Sequence, residues 1–347
     1  SHLKNSNKVF VVYNDKDVLG DLIKDSDFNN LSIKVKTIKN NSSKFSLTIQ
    51  FILKIIGAFW VFFKIRPDIV IGTPILIPLI SVIIKFKSII VNEDDFDIIK
   101  MTSDFGYPYA TNILCPDVCR TGIFENKCIK YSGYHELAYL HPNNFNPSIE
   151  IAKKYIDTSK PYILIRFAKL NAHHDTGIQG LNDELVKEII KVSTPEANIY
   201  ITSEKLLNGE LEKYRININP TEIHHVMAFS KLYIGDSQTM AAESAVLGVP
   251  FIRFNDFVGR ISYLDELENK YKLGFGIATK FPKKLIATLK NILKLDNSRD
   301  IYFNRRKIML NEKVDLANYM KWFFQNYPES INTLKQFPDY QNKFIKK

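Results

Sequence analysis

The chain has 347 residues, of which 45% are hydrophobic and 24% are charged, and its formal net charge is +10. These proportions are typical of a globular protein with room for two domains, and they exclude a disordered or fibrous chain. Such a basic surface favours polyanions or an anionic membrane face. No basic run interleaved with aromatic residues appears, so we predict no nucleic-acid partner.

The first part of the chain alternates short apolar runs with helical segments. This rhythm predicts a parallel sheet with helices covering both faces. The predicted strands are Lys8–Tyr13, Leu31–Ile38, a run within Pro67–Pro74, Ser88–Val91 and Ile113–Pro116, of which we take the last as the final strand of the first domain.

The segment from Phe45 to Arg66 is strongly apolar, although Lys54 and Lys64 interrupt it. Three interpretations stay open. The segment could be a helix buried under the sheet, a membrane span, or a helix in the membrane interface anchored by Trp60 and its neighbouring phenylalanines. The interfacial helix would suit a protein that works at a membrane surface.

Three carboxylates, Glu93, Asp94 and Asp95, directly follow the predicted strand Ser88–Val91. Ligands of open α/β sheets bind beyond the carboxyl ends of the strands, and neighbouring carboxylates can divide acid and base duties. We therefore predict these three residues as catalytic candidates. The alternative is a solvated acidic loop or a helix cap.

The three cysteines, Cys115, Cys119 and Cys128, are few and odd in number, and no secretory leader is in view. This usage predicts a reducing compartment, so we expect a cytoplasmic protein. Their spacing lacks a convincing fourth ligand for zinc, which favours structural thiols and no metal site.

The second domain is predicted to open with the strand Tyr162–Phe167. Arg166, near its end, can offer a fork of donors to a diphosphate. His173 and His174, in the loop after this strand, can donate to phosphate or act as acid or base near neutral pH. We place the first domain at residues 1–150, the second at 151–325, and a tail at 326–347 that packs back toward the first.

Three further candidates lie beyond that loop. Ser203 and Glu204 follow the strand Ala197–Thr202, and His224 lies in a segment that precedes the strand Leu232–Ile234. We take all three as candidate ligand-binding residues. For His224, a buried structural role is equally compatible with the sequence.

The segment from Lys231 to Asp256 predicts a strand, a tight polar turn, a helix and a second strand. The turn is Asp236, Ser237, Gln238 and Thr239. A helix that begins there aims its free N–H groups and the positive end of its dipole at the space above the turn, where phosphate commonly binds. Glu243 lies under two helical turns further on and could accept hydrogen bonds from ribose hydroxyls.

The run GDSQTMAAESAVLGVP within this segment resembles the C-terminal-domain signature of GT-B-type nucleotide-sugar enzymes, including the non-hydrolysing UDP-N-acetylglucosamine 2-epimerases. More closely, it resembles the prokaryotic family catalogued as domain of unknown function 354, found in surface-polysaccharide gene neighbourhoods. Further matches to that family are RFAKLNAHHDTGIQG at 166–180, ITSE at 201–204 and YHELAYLHP at 134–142. The resemblance implies two Rossmann-like domains facing across a cleft, and a first strand ahead of Lys8 that the sequence does not show.

The resemblance also implies a function. We expect a metal-independent glycosyltransferase without a cofactor, which takes a UDP-linked sugar and a glycan or polyprenyl-linked acceptor at the inner face of the plasma membrane. One alternative is a sugar-nucleotide 2-epimerase in which the carboxylates after Val91 and a histidine move protons, although the His-Arg-Arg-Glu run of those epimerases is not reproduced. The other alternative is a non-catalytic polysaccharide-assembly protein.

Overall fold

The computed structural model describes residues 3, 7–14, 23, 32–35, 44–167, 180–203, 207 and 209–345, with backbone alone at 44–48. Its first part contains two parallel sheets that no described strand joins. β1 (Val11–Asn14) pairs with β2 (Ser32–Val35). The other sheet has the order β3-β4-β5-β6, with β3 at Ile69–Gly72, β4 at Lys87–Val91, β5 at Asn112–Pro116 and β6 at Cys128–Tyr131.

The prediction that Ile113–Pro116 ends the first domain's sheet was wrong, because β6 pairs in parallel with β5 beyond it. The sequence Cys-Ile-Lys-Tyr alternates partly and fully buried residues along β6. It therefore lacks the continuous apolar run that marks a strand buried on both faces.

Helix α1 (Lys44–Ile65) has one face in the core, as the buried-helix interpretation predicts. Its buried residues Ala58 and Phe62 pack with Phe86 and with α2 (Leu76–Ile84), and α3 (Lys100–Phe105) follows β4. A second apolar face of α1 is exposed to solvent, with Trp60 the most exposed of its residues at 62%. Within the described ranges, no helix is both long enough and apolar enough to cross a bilayer.

The second part of the chain contains one five-stranded parallel sheet in the order β11-β10-β9-β7-β8. Its strands are β7 (Tyr162–Phe167), β8 (Asn198–Ser203), β9 (Leu232–Gly235), β10 (Phe251–Phe254) and β11 (Gly274–Ile277). The helices up to β11 are α4 (Leu137–Leu140), α5 (Ile149–Ala152), α6 (Asp183–Ser193), α7 (Gly209–Glu212), α8 (Ile223–Met227), α9 (Gln238–Leu247) and α10 (Ser262–Asp265).

Four helices follow the second sheet: α11 (Pro282–Leu293), α12 (Ser298–Glu312), α13 (Leu316–Gln325) and α14 (Glu329–Gln336). The side chain of Asp315 caps α13 by accepting from the backbone N–H of Asn318, so α13 starts as a new helix after α12. From α13 onward the chain packs on the first part of the molecule: the rings of Tyr319 and Tyr131 lie 5.8 Å apart, and Tyr327 donates to Asn112 at 3.1 Å.

The two parts also meet through Asp95, whose side chain is fully buried after β4. Its carboxylate accepts hydrogen bonds from the backbone and Nε of Arg120 at 2.8 and 3.1 Å, and from the backbone and hydroxyl of Ser262 at 2.8 and 2.9 Å. All of these donors are protein groups. Asp95 therefore has a structural role, because it links the segment after β4 to α10 by hydrogen bonds. This placement differs from the acid–base role that the sequence predicted for it.

We expect Asp95→Ala to lower the free energy of unfolding by about 3 kcal/mol, because it leaves buried donors without partners. Asp97→Ala is the matched control, since Asp97 pairs with the same Arg120 while its side chain is 39% exposed. It should cost less than about 1 kcal/mol. Urea unfolding followed by tryptophan fluorescence measures both values, and equal losses would contradict the structural role of Asp95.

Candidate functional site

The turn between β9 and α9 has the predicted strand–turn–helix geometry. β9 is fully buried, and α9 begins at Gln238, where the hydroxyl of Ser237 accepts from the backbone N–H of Met240 at 3.3 Å. The helix ends at Gly248, whose φ of 79° is the left-handed conformation that glycine adopts most easily. Ser237 therefore acts as the N-cap of α9.

The N-terminus of α9 keeps unsatisfied donors on its outer side. The backbone N–H groups of Gln238 and Thr239 have no carbonyl partner inside the helix, and Thr239 is exposed. Asp236 is only 2% exposed, and its backbone carbonyl accepts from the side chain of Asn255 at 2.9 Å. Asp236 is therefore a buried part of the turn.

The loop predicted to carry His173 and His174 ends against this turn, at Gly180. A β-carbon on Gly180 would lie 2.6 Å from a carboxylate oxygen of Asp236, so only glycine fits there. The described chain therefore resumes, at Gly180, beside the turn that opens α9. His173 and His174 themselves lie outside the described residues.

Arg166 and Ser203 lie at the same edge of the sheet as this turn. In the strand register, Arg166 is opposite both Gly235 of β9 and Thr202 of β8, and Ser203 is opposite Phe167. The parallel sheet therefore brings these two candidates to the edge above which α9 begins. Glu204, the next candidate along the chain, lies outside the described residues.

Glu243 points from α9 toward the first part of the molecule. Its Oε1 accepts from the hydroxyl of Tyr139 at 2.9 Å and lies 2.8 Å from Nε2 of His224. Oε2 takes no hydrogen bond from any described residue. Glu243 is 7% exposed, so it lies at the junction of the two parts with one oxygen held and the other available.

Glu93 faces the same junction and is more basic than an ordinary carboxyl group. Burial is the main cause that raises its pKa to about 8, and the charges of Asp94 and Glu243 add to the effect. Its Oε2 accepts from the backbone N–H of His135 at 3.0 Å. Burial lowers the pKa of the His135 side chain to about 4. At neutral pH the pair is therefore a carboxylic acid beside a neutral imidazole.

Two residues of this junction were missed as candidates: Glu136 and Tyr139. Glu136 is fully buried, and neither of its carboxyl oxygens has a hydrogen-bond partner among the described residues. Burial raises its pKa well above the ordinary value, and the charge of Glu93 adds to this. Their spacing in the run YHELAYLHP places both on one side of a helical turn, which could have identified them.

The cysteines lie beside this junction as buried or partly buried thiols. The sulfur atoms of Cys115 and Cys128 are 2.9 Å apart, and Cys119 donates to the backbone carbonyl of Glu93 at 2.8 Å. In the part of the chain that is described, no three His, Cys, Asp or Glu side chains are grouped so as to hold a metal ion.

Comparison with known proteins identifies the architecture. Over 89% of its length this chain matches 93% of the UDP-GlcNAc 2-epimerase from Neisseria meningitidis, solved bound to UDP-GlcNAc, with 14% identity and a TM-score of 0.54. It also matches the calicheamicin glycosyltransferase CalG4, with 92% of each chain covered, 10% identity and a TM-score of 0.54. For UGT89C1 of Arabidopsis thaliana in complex with quercetin, the values are 98% and 93% coverage, 10% identity and a TM-score of 0.57.

The fold is therefore the GT-B architecture of glycosyltransferases and UDP-GlcNAc 2-epimerases, with two Rossmann-like domains. At such low identity, these similarities define the fold alone. No protein-family model and no curated protein sequence matches the chain. The resemblance to the domain of unknown function 354 family stays a prediction.

We expect Glu93 to make the folded state less stable as the pH rises. Above about pH 4.5 the unfolded chain has lost the proton that the folded chain keeps until about pH 8. The free energy of unfolding of the wild type, minus that of Glu93→Gln, should therefore fall by about 1.4 kcal/mol per pH unit across this window. Urea unfolding at several pH values measures this difference, and a difference that is independent of pH would contradict the buried acid.

Proposed function

We propose that the chain is a glycosyltransferase that uses a nucleotide-sugar donor, with UDP as the expected nucleotide, in surface polysaccharide or glycoconjugate synthesis. The observation that carries the proposal is the edge of the second sheet. There the N-terminus of α9 lies beside Arg166, and Glu243, held through Oε1 by Tyr139 and His224, has no described partner on Oε2. No other group of described residues combines an anion site with a ribose acceptor in this way.

In the proposed complex, the diphosphate lies over the amides of Gln238 and Thr239, and Arg166 adds a cationic fork. Oε2 of Glu243 accepts from a ribose hydroxyl. Ser203 and Glu204, at the end of β8, complete the nucleotide side of the site. The helix N-terminus and the guanidinium stabilise the charge that develops on the departing diphosphate, without a requirement for a metal ion.

The acceptor hydroxyl needs a base on the side of the first domain. We propose Asp94 for this role, because it is half-buried beside Glu93 and follows the carboxyl end of β4. Glu93, protonated at neutral pH, would donate a hydrogen bond to the substrate. His173 and His174 remain proposed donors to the phosphates. His224 acts by holding Oε1 of Glu243 in place.

We expect UDP to bind and Glu243→Gln to raise its Kd by roughly tenfold or more, because a charged acceptor of the ribose hydrogen bond is lost. Calorimetry measures both affinities. Glu150→Gln is the control, since the side chain of Glu150 on α5 is 74% exposed and pairs with Lys153. If UDP, GDP, CMP and their sugars all fail to bind the wild type, the alternative of a non-catalytic polysaccharide-assembly protein is favoured.

The second candidate function is a sugar-nucleotide 2-epimerase. The buried acids Glu93 and Glu136 favour it, because epimerisation requires groups that can give and take protons within one site. Incubation with UDP-N-acetylglucosamine alone, followed by proton NMR, separates the two reactions. Formation of the 2-epimer or release of UDP without an acceptor supports the epimerase. If the donor stays unchanged alone and is consumed only when an acceptor is added, the result supports sugar transfer.

We also propose that the first domain rests on an anionic membrane through the exposed face of α1. Five large apolar residues of this helix are 42% to 62% exposed: Ile49, Ile52, Ile56, Trp60 and Phe63. At about 100° per residue they fall in a strip of about 80°, on a different side from the core-facing residues. Four exposed cations lie near one end of this strip: Lys64, Arg66, Lys85 and Lys87. An apolar strip bordered by cations matches a surface of anionic lipid.

We expect the protein to sediment with phosphatidylglycerol vesicles, and Trp60→Ser with Phe63→Ser to weaken this binding by roughly tenfold or more. The control is Phe281→Ser, which removes an aromatic side chain of similar exposure from the second domain. Added salt should also weaken binding. Equal sedimentation of the wild type and the double variant would contradict the membrane contact. So would a double variant that loses self-association of the protein while its vesicle binding is unchanged.

A further inference from the structure

A cavity of about 490 Å³ lies at the edge of the second sheet where its strands begin. Its wall includes Pro161 ahead of β7, Lys231 ahead of β9 and Pro250 ahead of β10, and α12 closes one side. The turn that opens α9 lies at the opposite edge of the same sheet. The cavity is therefore separate from the proposed nucleotide-sugar site.

The cavity is lined by four cations and one carboxylate. The cations are Lys160, Lys231, Arg299 and Arg306, and the carboxylate is Asp296. Within the described part of the chain, none of the four cations forms an ion pair. The cavity therefore has an excess of positive charge that the protein does not neutralise.

Arg306 is the least solvated of these cations. Burial lowers the pKa of its guanidinium, and its Nε donates to the backbone carbonyl of Val246 at 2.6 Å. A backbone carbonyl is a partner for one N–H group but does not neutralise a full charge. Because a poorly solvated cation is costly without a counter-charge, an anion bound in this cavity would stabilise it.

Ser298 provides an independent sign of a ligand. It is 4% exposed, it lines the cavity, and its hydroxyl has no hydrogen-bond partner among the described residues. It also occupies the first position of α12, a helix of 15 residues in which the backbone N–H groups of Ser298, Asp300 and Ile301 already donate to carbonyls of the preceding turn. The hydroxyl is therefore the open donor here, and a hydroxyl beside arginine side chains is a usual set of donors to a phosphate.

Two aromatic side chains give the cavity an apolar wall. The guanidinium of Arg299 lies 5.6 Å from the ring centre of Phe229, and that of Arg306 lies 5.9 Å from the ring centre of Phe303. Arg299, Phe303 and Arg306 are spaced i, i+4 and i+7 along α12, so they share one helix face. Such a wall suits a ligand that carries a ring as well as an anion.

We infer that this cavity is a second ligand site, for a small phosphate ester that carries a ring. The hydroxyl of Ser298 and the side chains of Arg299 and Arg306 bind the phosphate, and Phe229 with Phe303 contact the ring. Pro147 and Ile149 of the segment between the domains form part of the wall. The ligand would therefore touch the connection between the domains, and the inference does not depend on the proposed sugar transfer.

Calorimetry with glucose 1-phosphate and with inorganic phosphate tests the site, in the absence of UDP, because UDP is itself a phosphate ester that carries a ring. We expect the ester to bind more tightly than inorganic phosphate, and Arg299→Gln to weaken the ester by roughly tenfold. The control is Arg305→Gln on the same helix, whose guanidinium donates to the backbone carbonyl of Lys272 outside the cavity. Thermal unfolding of each variant checks that it is folded.

Three outcomes would overturn the inference: no binding of either probe to the wild type, equal affinity of the wild type and Arg299→Gln, or equal loss of affinity in Arg299→Gln and Arg305→Gln. Glu243→Gln distinguishes this site from the proposed nucleotide-sugar site. This variant should leave the affinity for glucose 1-phosphate unchanged even if it abolishes UDP binding. If the wild type fails to bind UDP but binds glucose 1-phosphate, the proposed function fails and the inference of a second site stands.

Discussion

The rest of the structure depends on the burial of carboxyl groups where the two domains face each other. Tyr139 and the backbone of His135 come from the crossover segment, and each donates to a carboxylate that another element carries. The junction is therefore held at this point by hydrogen bonds, which a polar ligand can exchange at small net cost. An apolar contact of the same size could not open for a ribose without exposing its surface to water.

Burial also sets the charge of this junction. If Glu93 were ionised at neutral pH, it would add a negative charge at a junction that already contains Glu243, and it would repel the phosphates of a donor. Desolvation keeps Glu93 protonated and the side chain of His135 neutral. The same burial that costs folding free energy would therefore let a cluster of acids coexist with the proposed anionic substrate.

The sequence was sufficient where the structure is local. The strand, turn and helix from Leu232 to Gly248 follow from an apolar run, a capping serine and a C-terminal glycine, and all lie where they were predicted. It was insufficient where a role depends on contacts between distant segments. Asp95 looked like its two acidic neighbours, and only its contact with Ser262, 167 positions away, shows that it is a structural tie. Tyr139 was missed for the same reason, because its partner is 104 positions away.

Because the strands of the second sheet are parallel, its two edges differ in the partial charge of the helix ends that lie there. For the helices that connect its strands, N-termini lie at the edge where strands end, and C-termini lie where strands begin. Lys231 and Arg306 interact with these helix C-termini directly. They donate to the carbonyls of Leu293 and Val246, at the ends of α11 and α9. Each helix end carries only about half a negative charge, so two ends and Asp296 offset about two of the four cations. The remaining positive charge exceeds what the fold itself requires, which is why a bound anion accounts for this cavity better than helix capping alone.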